Sequence, residues 1–208
     1  MKLYGSTNKK SFNTLKLRVA LADAGADYEF VGVDVDKGEN KTPAFLALNP
    51  HGKVPLLVDG DFALPESNAI LWYIAETHAD AGLVPRHDGS RVAFQARARV
   101  AQFVDFAQTT FYAAYVEWWN TALGDARDPA AAIAALAKIH RGLGVLEAAL
   151  AERPWVATPT FSIADIANAS IVFAFKRRLP DDPLAAFERV RAWYDRVLAR
   201  PTFAAAIA

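Results

Sequence analysis

The sequence predicts an α/β domain followed by an all-helical one, and three observations carry that prediction. The first 78 residues switch repeatedly between a two-residue and a helical apolar period; residues 80–90, "DAGLVPRHDGS", gather Gly, Pro, Asp and Ser; and beyond residue 91 every apolar pattern is helical. The boundaries that follow are 1–79 for the α/β domain, 80–90 for a linker and 91–208 for the helical domain. At 208 residues and 53% hydrophobic content, the chain can bury a sizeable core.

Taken in order, "KLY" is a short strand. "TLKLRVALADAG" carries Leu15, Val19 and Ala22 at helical spacing and ends at Gly25, a residue suited to a helix C-terminus. The alternating "YEFVGVDV" is a strand, so the opening is a β-α-β unit, which favours a parallel pair. "TPAFLALNP" reads as a short helix or turn. "VPLLVDGDFAL" reads as a hairpin turning at Asp59-Gly60, and "PESNAILWYIAETH" as a helix over 66–78 with Pro65 in its first turn. A long helix is expected from Arg91 to about Ala122, with Val100, Phe103, Val104, Ala107, Phe111, Tyr115 and Trp118 on one stripe. Another runs from Pro129 to Glu152 on a seam through Leu136, Ile139, Leu143, Leu146 and Leu150. Ser162 and Asp165 have the spacing of a capping box for a third, and Phe187, Val190, Tyr194 and Val197 mark a fourth.

Several function classes are disfavoured by composition. Lys+Arg and Asp+Glu are both 23, so no global field draws the chain to nucleic acid or to an anionic membrane. There is no cysteine, hence no disulfide, thiolate metal site or cysteine nucleophile. No run of about 18 apolar residues is present to span a bilayer, and the N-terminus lacks a signal core. The four histidines have no close-pair spacing, so no metal is expected, and a cytoplasmic protein is.

The residues that suggest a binding site lie in the α/β part. Pro55 cannot donate to a ladder, and a Val-Pro bond turns cis cheaply; such a bend would present the Val54 backbone to a peptide-like ligand, although a harmless edge strand explains the same proline. Glu66 and Ser67 open a helix, where unpaired N–H groups favour an anion and a carboxylate can hold an ammonium, a combination suited to an amino-acid head group. Lys53, Lys41 and Asn40 are candidates for a second carboxylate.

These residues carry a resemblance. "NPHGKVPLLVDGDFALPESNAI" resembles the glutathione-site segment of the glutathione transferases; "DKGENKTPAFLALNP" resembles the segment preceding it, and "RPWVATPTFSIADIA" that family's capping-box region. The resemblance implies a thioredoxin-like N-terminal domain, an all-helical C-terminal domain, a homodimer, and glutathione as co-substrate. It implies that Val54, before a cis Pro55, pairs with the cysteinyl residue, that Glu66 and Ser67 hold the γ-glutamyl group, and that Lys53, Asn40 and Lys41 meet the glycyl carboxylate.

Catalysis then needs a donor to the ligand's sulfur, because a thiol with a pKa near 8.5 is mostly protonated at neutral pH. Gly5 stands where the tyrosine-type members have tyrosine. "SFNTLKLRVALADAG" instead resembles the serine-type and bacterial members, phi-, theta- or nu-like, with Ser11 in the serine place and Asn13 two residues on. Ser11 is the preferred donor and Asn13 the alternative; a plain helix-capping role explains either equally. Ser6 and Thr7 are expected to be structural, and Lys9, Lys10 and Lys16 to be positive surroundings. The lack of cysteine argues against the cysteine-type branches. The expected activity is conjugation of glutathione to a small hydrophobic electrophile, bound in the region of Phe103, Phe106, Phe111, Tyr112, Tyr115, Trp118 and Trp119. Alternatives are a non-catalytic glutathione-binding or ligand-carrying protein, such as the transferase-like domains of translation factors, and a glutathione-dependent peroxidase or disulfide reductase.

Overall fold

The computed structural model describes residues 1–8, 11–125 and 127–207, so Lys9 and Lys10 lie outside the described residues. It divides into two compact units, one of Met1–Arg86 together with the C-terminal segment from Pro201, the other His87–Arg200.

The first unit runs β1 (Lys2–Ser6), α1 (Phe12–Asp23), β2 (Glu29–Val33), α2 (Pro43–Leu48), β3 (Leu56–Asp59), β4 (Phe62–Pro65) and α3 (Ser67–Thr77). The sheet order is β2-β1-β3-β4. β1 pairs parallel with β2, Leu3 opposite Phe30, and antiparallel with β3, Leu3 opposite Leu57. β3 and β4 form the hairpin, Leu57 opposite Leu64. The parallel pair expected from the β-α-β opening is present. The hairpin turns one residue later than expected: Asp59 pairs with Phe62, leaving Gly60-Asp61 in the turn, and Gly60 supplies the positive φ of 61°. Pro65 closes β4 rather than opening α3, because it pairs with Leu56.

Burial explains why these segments hold. Leu3, Leu56 and Leu57 from the sheet, Leu17 and Leu21 from α1, and Ile70, Leu71 and Ile74 from α3 are all fully buried. Each contributes roughly 1.5–3 kcal/mol of transfer free energy. Of these, Leu56 belongs with Val33 and Phe45 to a cluster under α2, joined by Tyr4 and Val54. At Gly5 a Cβ would come within 2.6 Å of Thr14 Cγ2 and 2.7 Å of Phe30, so β1 runs close beneath α1 and no side chain fits there.

The second unit contains α4 (Arg91–Phe106), α5 (Ala113–Ala122), α6 (Pro129–Glu152), α7 (Ile163–Arg178) and α8 (Glu188–Leu198). Where one helix is expected from Arg91 to Ala122, the chain stays helical but widens into a π-helical stretch over Ala107–Tyr112. The expected stripe faces inward, with Val100, Phe103, Val104, Ala107, Phe111, Tyr115 and Trp118 all buried. Gly142 on α6 makes room for the Phe111 ring, since a Cβ there would lie 2.5 Å from it. Asp128 caps α6 by accepting from the Ala130 and Ala131 amides. Both halves of the Ser162/Asp165 box form at the start of α7. Among the described residues no helix is long and apolar enough to cross a membrane.

The last helix, α9 (Pro201–Ile207), falls outside the 91–208 grouping read from the sequence, because it packs on α1 in the first unit. Phe203 is fully buried, Thr202 Oγ1 donates to Asp23 Oδ1 at 2.8 Å, and Arg18 donates to the Ala206 carbonyl at 3.3 Å.

Candidate functional site

The site is assembled where the N-termini of α1 and α3 meet. Ser11 is the N-cap of α1, with its extended backbone (φ −76°, ψ 95°) and its Oγ accepting from the Thr14 amide at 3.4 Å. The capping role weighed against catalysis is therefore present, and it leaves the hydroxyl proton uncommitted by that bond. Ser11 Oγ also lies 3.0 Å from Thr14 Oγ1. Thr14 Oγ1 in turn accepts from the Ser6 amide at 3.1 Å. A threonine hydroxyl that already accepts is well placed to donate onward, and a hydroxyl that receives such a bond becomes a better donor itself. Thr14 is 4% exposed, so the middle of this relay is shielded from water, while Ser6 and Ser11 at its ends are half-buried. Sequence reasoning missed Thr14; its signal was the three-residue spacing from Ser11, which is the spacing of an N-cap and its amide partner.

Ser6 and Thr7 serve the loop, as expected. Ser6 Oγ accepts from the Asn8 amide at 3.1 Å, and the Thr7 amide donates to the Val33 carbonyl at 3.1 Å.

Asn13 is tied to the other helix. Ser67 Oγ donates to Asn13 Oδ1 at 3.3 Å, which turns the Asn13 amide N–H groups away from Ser67. Glu66, the N-cap of α3, has φ 72° and ψ 107°, a conformation that non-glycine residues rarely adopt; it is the single non-glycine residue with positive φ among those described. Its side chain is exposed, whereas Ser67 is 8% exposed. Strain at such a residue persists where the surroundings over-determine it, and here the turn leaves an exposed carboxylate beside the N-terminus of α3.

The segment preceding β3 holds the remaining candidates. The Val54–Pro55 bond is cis, immediately before Leu56 enters the sheet. Asn40, 6% exposed, donates through Nδ2 to the Gly52 carbonyl at 2.7 Å. Lys41 Nζ approaches the His51 carbonyl at 3.5 Å, and Gly52 is held to glycine by its φ of 57° and by the Asn40 carbonyl oxygen, which a Cβ would meet at 2.9 Å. Lys53 is exposed. Asn49, which sequence reasoning passed over, is 1% exposed and ties the turn together: Nδ2 donates to the Lys53 carbonyl at 2.7 Å and Oδ1 accepts from the His51 amide at 3.1 Å. Asn40 and Asn49 thus brace a turn that presents Lys41 and Lys53.

In the region named for a hydrophobic partner, Phe103, Phe111, Tyr115 and Trp118 are buried in the fold, while Phe106, Tyr112 and Trp119 retain exposure. Phe106 lines a cavity of about 430 Å³ with Thr109, Thr110, Glu117 and Lys138. Among the described residues no group of His, Asp and Glu converges to hold a metal ion.

The whole chain is similar to known proteins. Residues 1–76 match the glutathione S-transferase N-terminal domain and residues 103–201 the glutathione S-transferase C-terminal domain. The chain belongs to the glutathione S-transferase family. It is 35% identical to glutathione S-transferase 3 of Zea mays over all of this chain and 93% of that one. Its fold superposes with TM-score 0.85 and 31% identity on the theta class glutathione S-transferase of the citrus canker pathogen Xanthomonas axonopodis pv. citri, solved with glutathione bound, covering 99% of this chain and 96% of that one. It is also 32% identical to elongation factor 1-gamma of Prunus avium, over 96% of this chain and 46% of that longer protein.

Proposed function

We propose that this protein is a serine-type glutathione transferase that binds glutathione, stabilises its thiolate with Ser11 and adds the sulfur to a small hydrophobic electrophile. The observation that carries the reading is the Ser6–Thr14–Ser11 relay at the α1 N-terminus. It keeps a hydroxyl proton available beside a helix dipole that favours an anion. A hydrogen bond to a charged acceptor contributes about 1.5–3 kcal/mol, which lowers a thiol pKa by roughly 1–2 units. Ser11 polarises no covalent bond; its work is to hold the thiolate until the electrophile takes it. The electrophile's leaving group, or a proton from water in an addition, balances the charge.

In this reading the Val54 backbone pairs with the cysteinyl residue. Glu66 and Ser67 hold the γ-glutamyl ammonium and carboxylate, Asn13 serves as second donor, and Lys41 and Lys53 face the glycyl carboxylate from the turn that Asn40 supports. A cytoplasmic homodimer belongs to the same reading. Light scattering on the purified protein tests that point, a monomer mass overturning it.

A second reading, a non-catalytic glutathione-binding or carrier protein, is favoured by the likeness to elongation factor 1-gamma. Retention on immobilised glutathione is measured together with conjugation of an activated aryl halide, for wild type, Ser11→Ala and Asn13→Ala; the same proteins are assayed for peroxide and disulfide reduction. The transferase reading expects retention by all three and loss of conjugation of at least tenfold in Ser11→Ala. Retention with no activity supports the carrier, reduction without conjugation the peroxidase or reductase. No retention overturns glutathione binding itself.

A further inference from the structure

Among the described residues the least expected buried group is Lys16. It is 3% exposed, on the inner face of α1, and its Nζ donates to Asn68 Oδ1 at 2.7 Å. An ammonium is a strongly hydrated charge, and placing one inside a domain is unfavourable unless something nearby needs it. Asn68 is the second residue of α3, directly after Glu66 and Ser67. The ammonium therefore lies beneath the turn that the proposed function assigns to the amino-acid head group. With the Asn13–Ser67 bond it makes a second cross-link from α1 to the first turn of α3.

We propose that Lys16 is a positioning residue for the head-group site: its buried ammonium clamps Asn68, fixes the strained Glu66–Ser67 turn, and places a positive charge behind the point where the ligand's carboxylate docks. The inference rests on the glutathione reading given above. A surface lysine would give neither effect, because water would screen it and nothing would hold its chain.

The charge is conditional. Burial lowers the Lys16 pKa to about 7, and the Glu66 carboxylate acts in the opposite sense. Glu66 is the one titratable group whose charge acts on Lys16 from α3; α9, the other helix packed on α1, carries no ionisable side chain, and on α1 itself Arg18 is laid over Phe30 while Asp23 holds Thr202. A ligand carboxylate arriving over the turn favours the protonated lysine. Binding then takes up a proton near neutral pH, and affinity falls as pH rises through 7 and above.

S-methylglutathione is the probe, because it keeps the head group and lacks the thiol. Its binding to the full-length protein is followed by calorimetry between about pH 6 and pH 8, in buffers of different ionisation enthalpy. If the ligand raises the Lys16 pKa by one unit, wild-type affinity falls about fivefold over that range, with uptake of about half a proton near pH 7.5. Lys16→Arg, which stays charged, binds with a flat profile and no uptake; Lys16→Met binds weakly at every pH. Wild-type binding without pH dependence or proton uptake overturns the inference even if neither variant folds. An unchanged profile in Lys16→Arg overturns it as well. Absence of S-methylglutathione binding at any pH overturns the glutathione reading and this inference with it.

Discussion

Replacing Asp165 by alanine isolates the polar knot at the start of α7. This carboxylate is fully buried and accepts four hydrogen bonds: from the Val156 amide at 3.0 Å, the Ser162 amide at 3.0 Å, the Ser162 hydroxyl at 3.2 Å and the Trp193 indole at 2.9 Å. All four donors sit in residues at most 1% exposed. A buried donor left without an acceptor costs about 1–3 kcal/mol. The serine hydroxyl can turn away, so three donors remain, and the loss sums to about 4 kcal/mol after partial relaxation. Against a total stability of about 5–15 kcal/mol that is a large fraction. Trp193→Phe removes one donor and should cost about 1–2 kcal/mol.

The same carboxyl has a pH signature. Burial raises its folded pKa to about 6, the donated bonds acting against that rise. A folded pKa above the unfolded value means that the native state holds the proton more tightly. The contribution of this group to stability therefore grows as pH falls from about 6 towards 3.8, and is absent above 6. The gap between wild type and Asp165→Ala should widen by up to about 2 kcal/mol between pH 7 and pH 4.5. Urea unfolding followed by tryptophan fluorescence at both pH values gives the numbers. A cost below about 1 kcal/mol at pH 7, or a gap that narrows on acidification, would refute the reasoning.

Three other outcomes are expected. Thr14→Val preserves shape but removes the hydroxyl between Ser6 and Ser11; the thiol pKa of bound glutathione, read from the pH profile of kcat/KM, should rise by about one unit and conjugation near neutral pH should drop severalfold. Glu66→Gly relieves the positive φ, so thermal stability should hold or rise by about 1 kcal/mol while retention on glutathione is lost, and retained binding would remove Glu66 from the site. Gly142→Ala forces a Cβ against the buried Phe111 ring, and chemical denaturation should show a loss of about 1–3 kcal/mol with glutathione retention unchanged.

Much of this fold is legible in the chain, and the exceptions share a cause. β1, β2 and the hairpin announce themselves by alternation and by Gly60, α6 by its apolar seam and α7 by its capping box, because these signals are local. The π-helical stretch at Ala107–Tyr112 carries no such mark, and the space for its Phe111 ring is left by Gly142, about thirty residues on. Lys16 looked like one more positive charge near a loop. Its burial depends on Asn68, 52 residues away, and no periodicity within α1 separates a buried lysine from an exposed one. Among the candidate residues, Ser11 and Asn13 stood out by spacing and Glu66 and Ser67 by their place at a helix start. Thr14 and Asn49 did not, since their work is to hold other residues, and a supporting hydrogen bond leaves no pattern in the residue types. For Asn40 the residue type suggested a carboxylate ligand, while the fold engages its amide with Gly52.

The return of α9 to the first unit has a consequence for how the protein comes into being. The surface of α1 that Phe203 seals is completed by a segment about 180 residues further along the chain. A ribosome that has released the whole of residues 1–86 has therefore made a sheet and three helices whose apolar flank still awaits its cover. That flank stays open throughout synthesis of the helical unit. The segment 201–207 acts as a latch, and a nascent chain stalled just short of it would present the uncovered flank of α1 to whatever chaperone or protease is at hand.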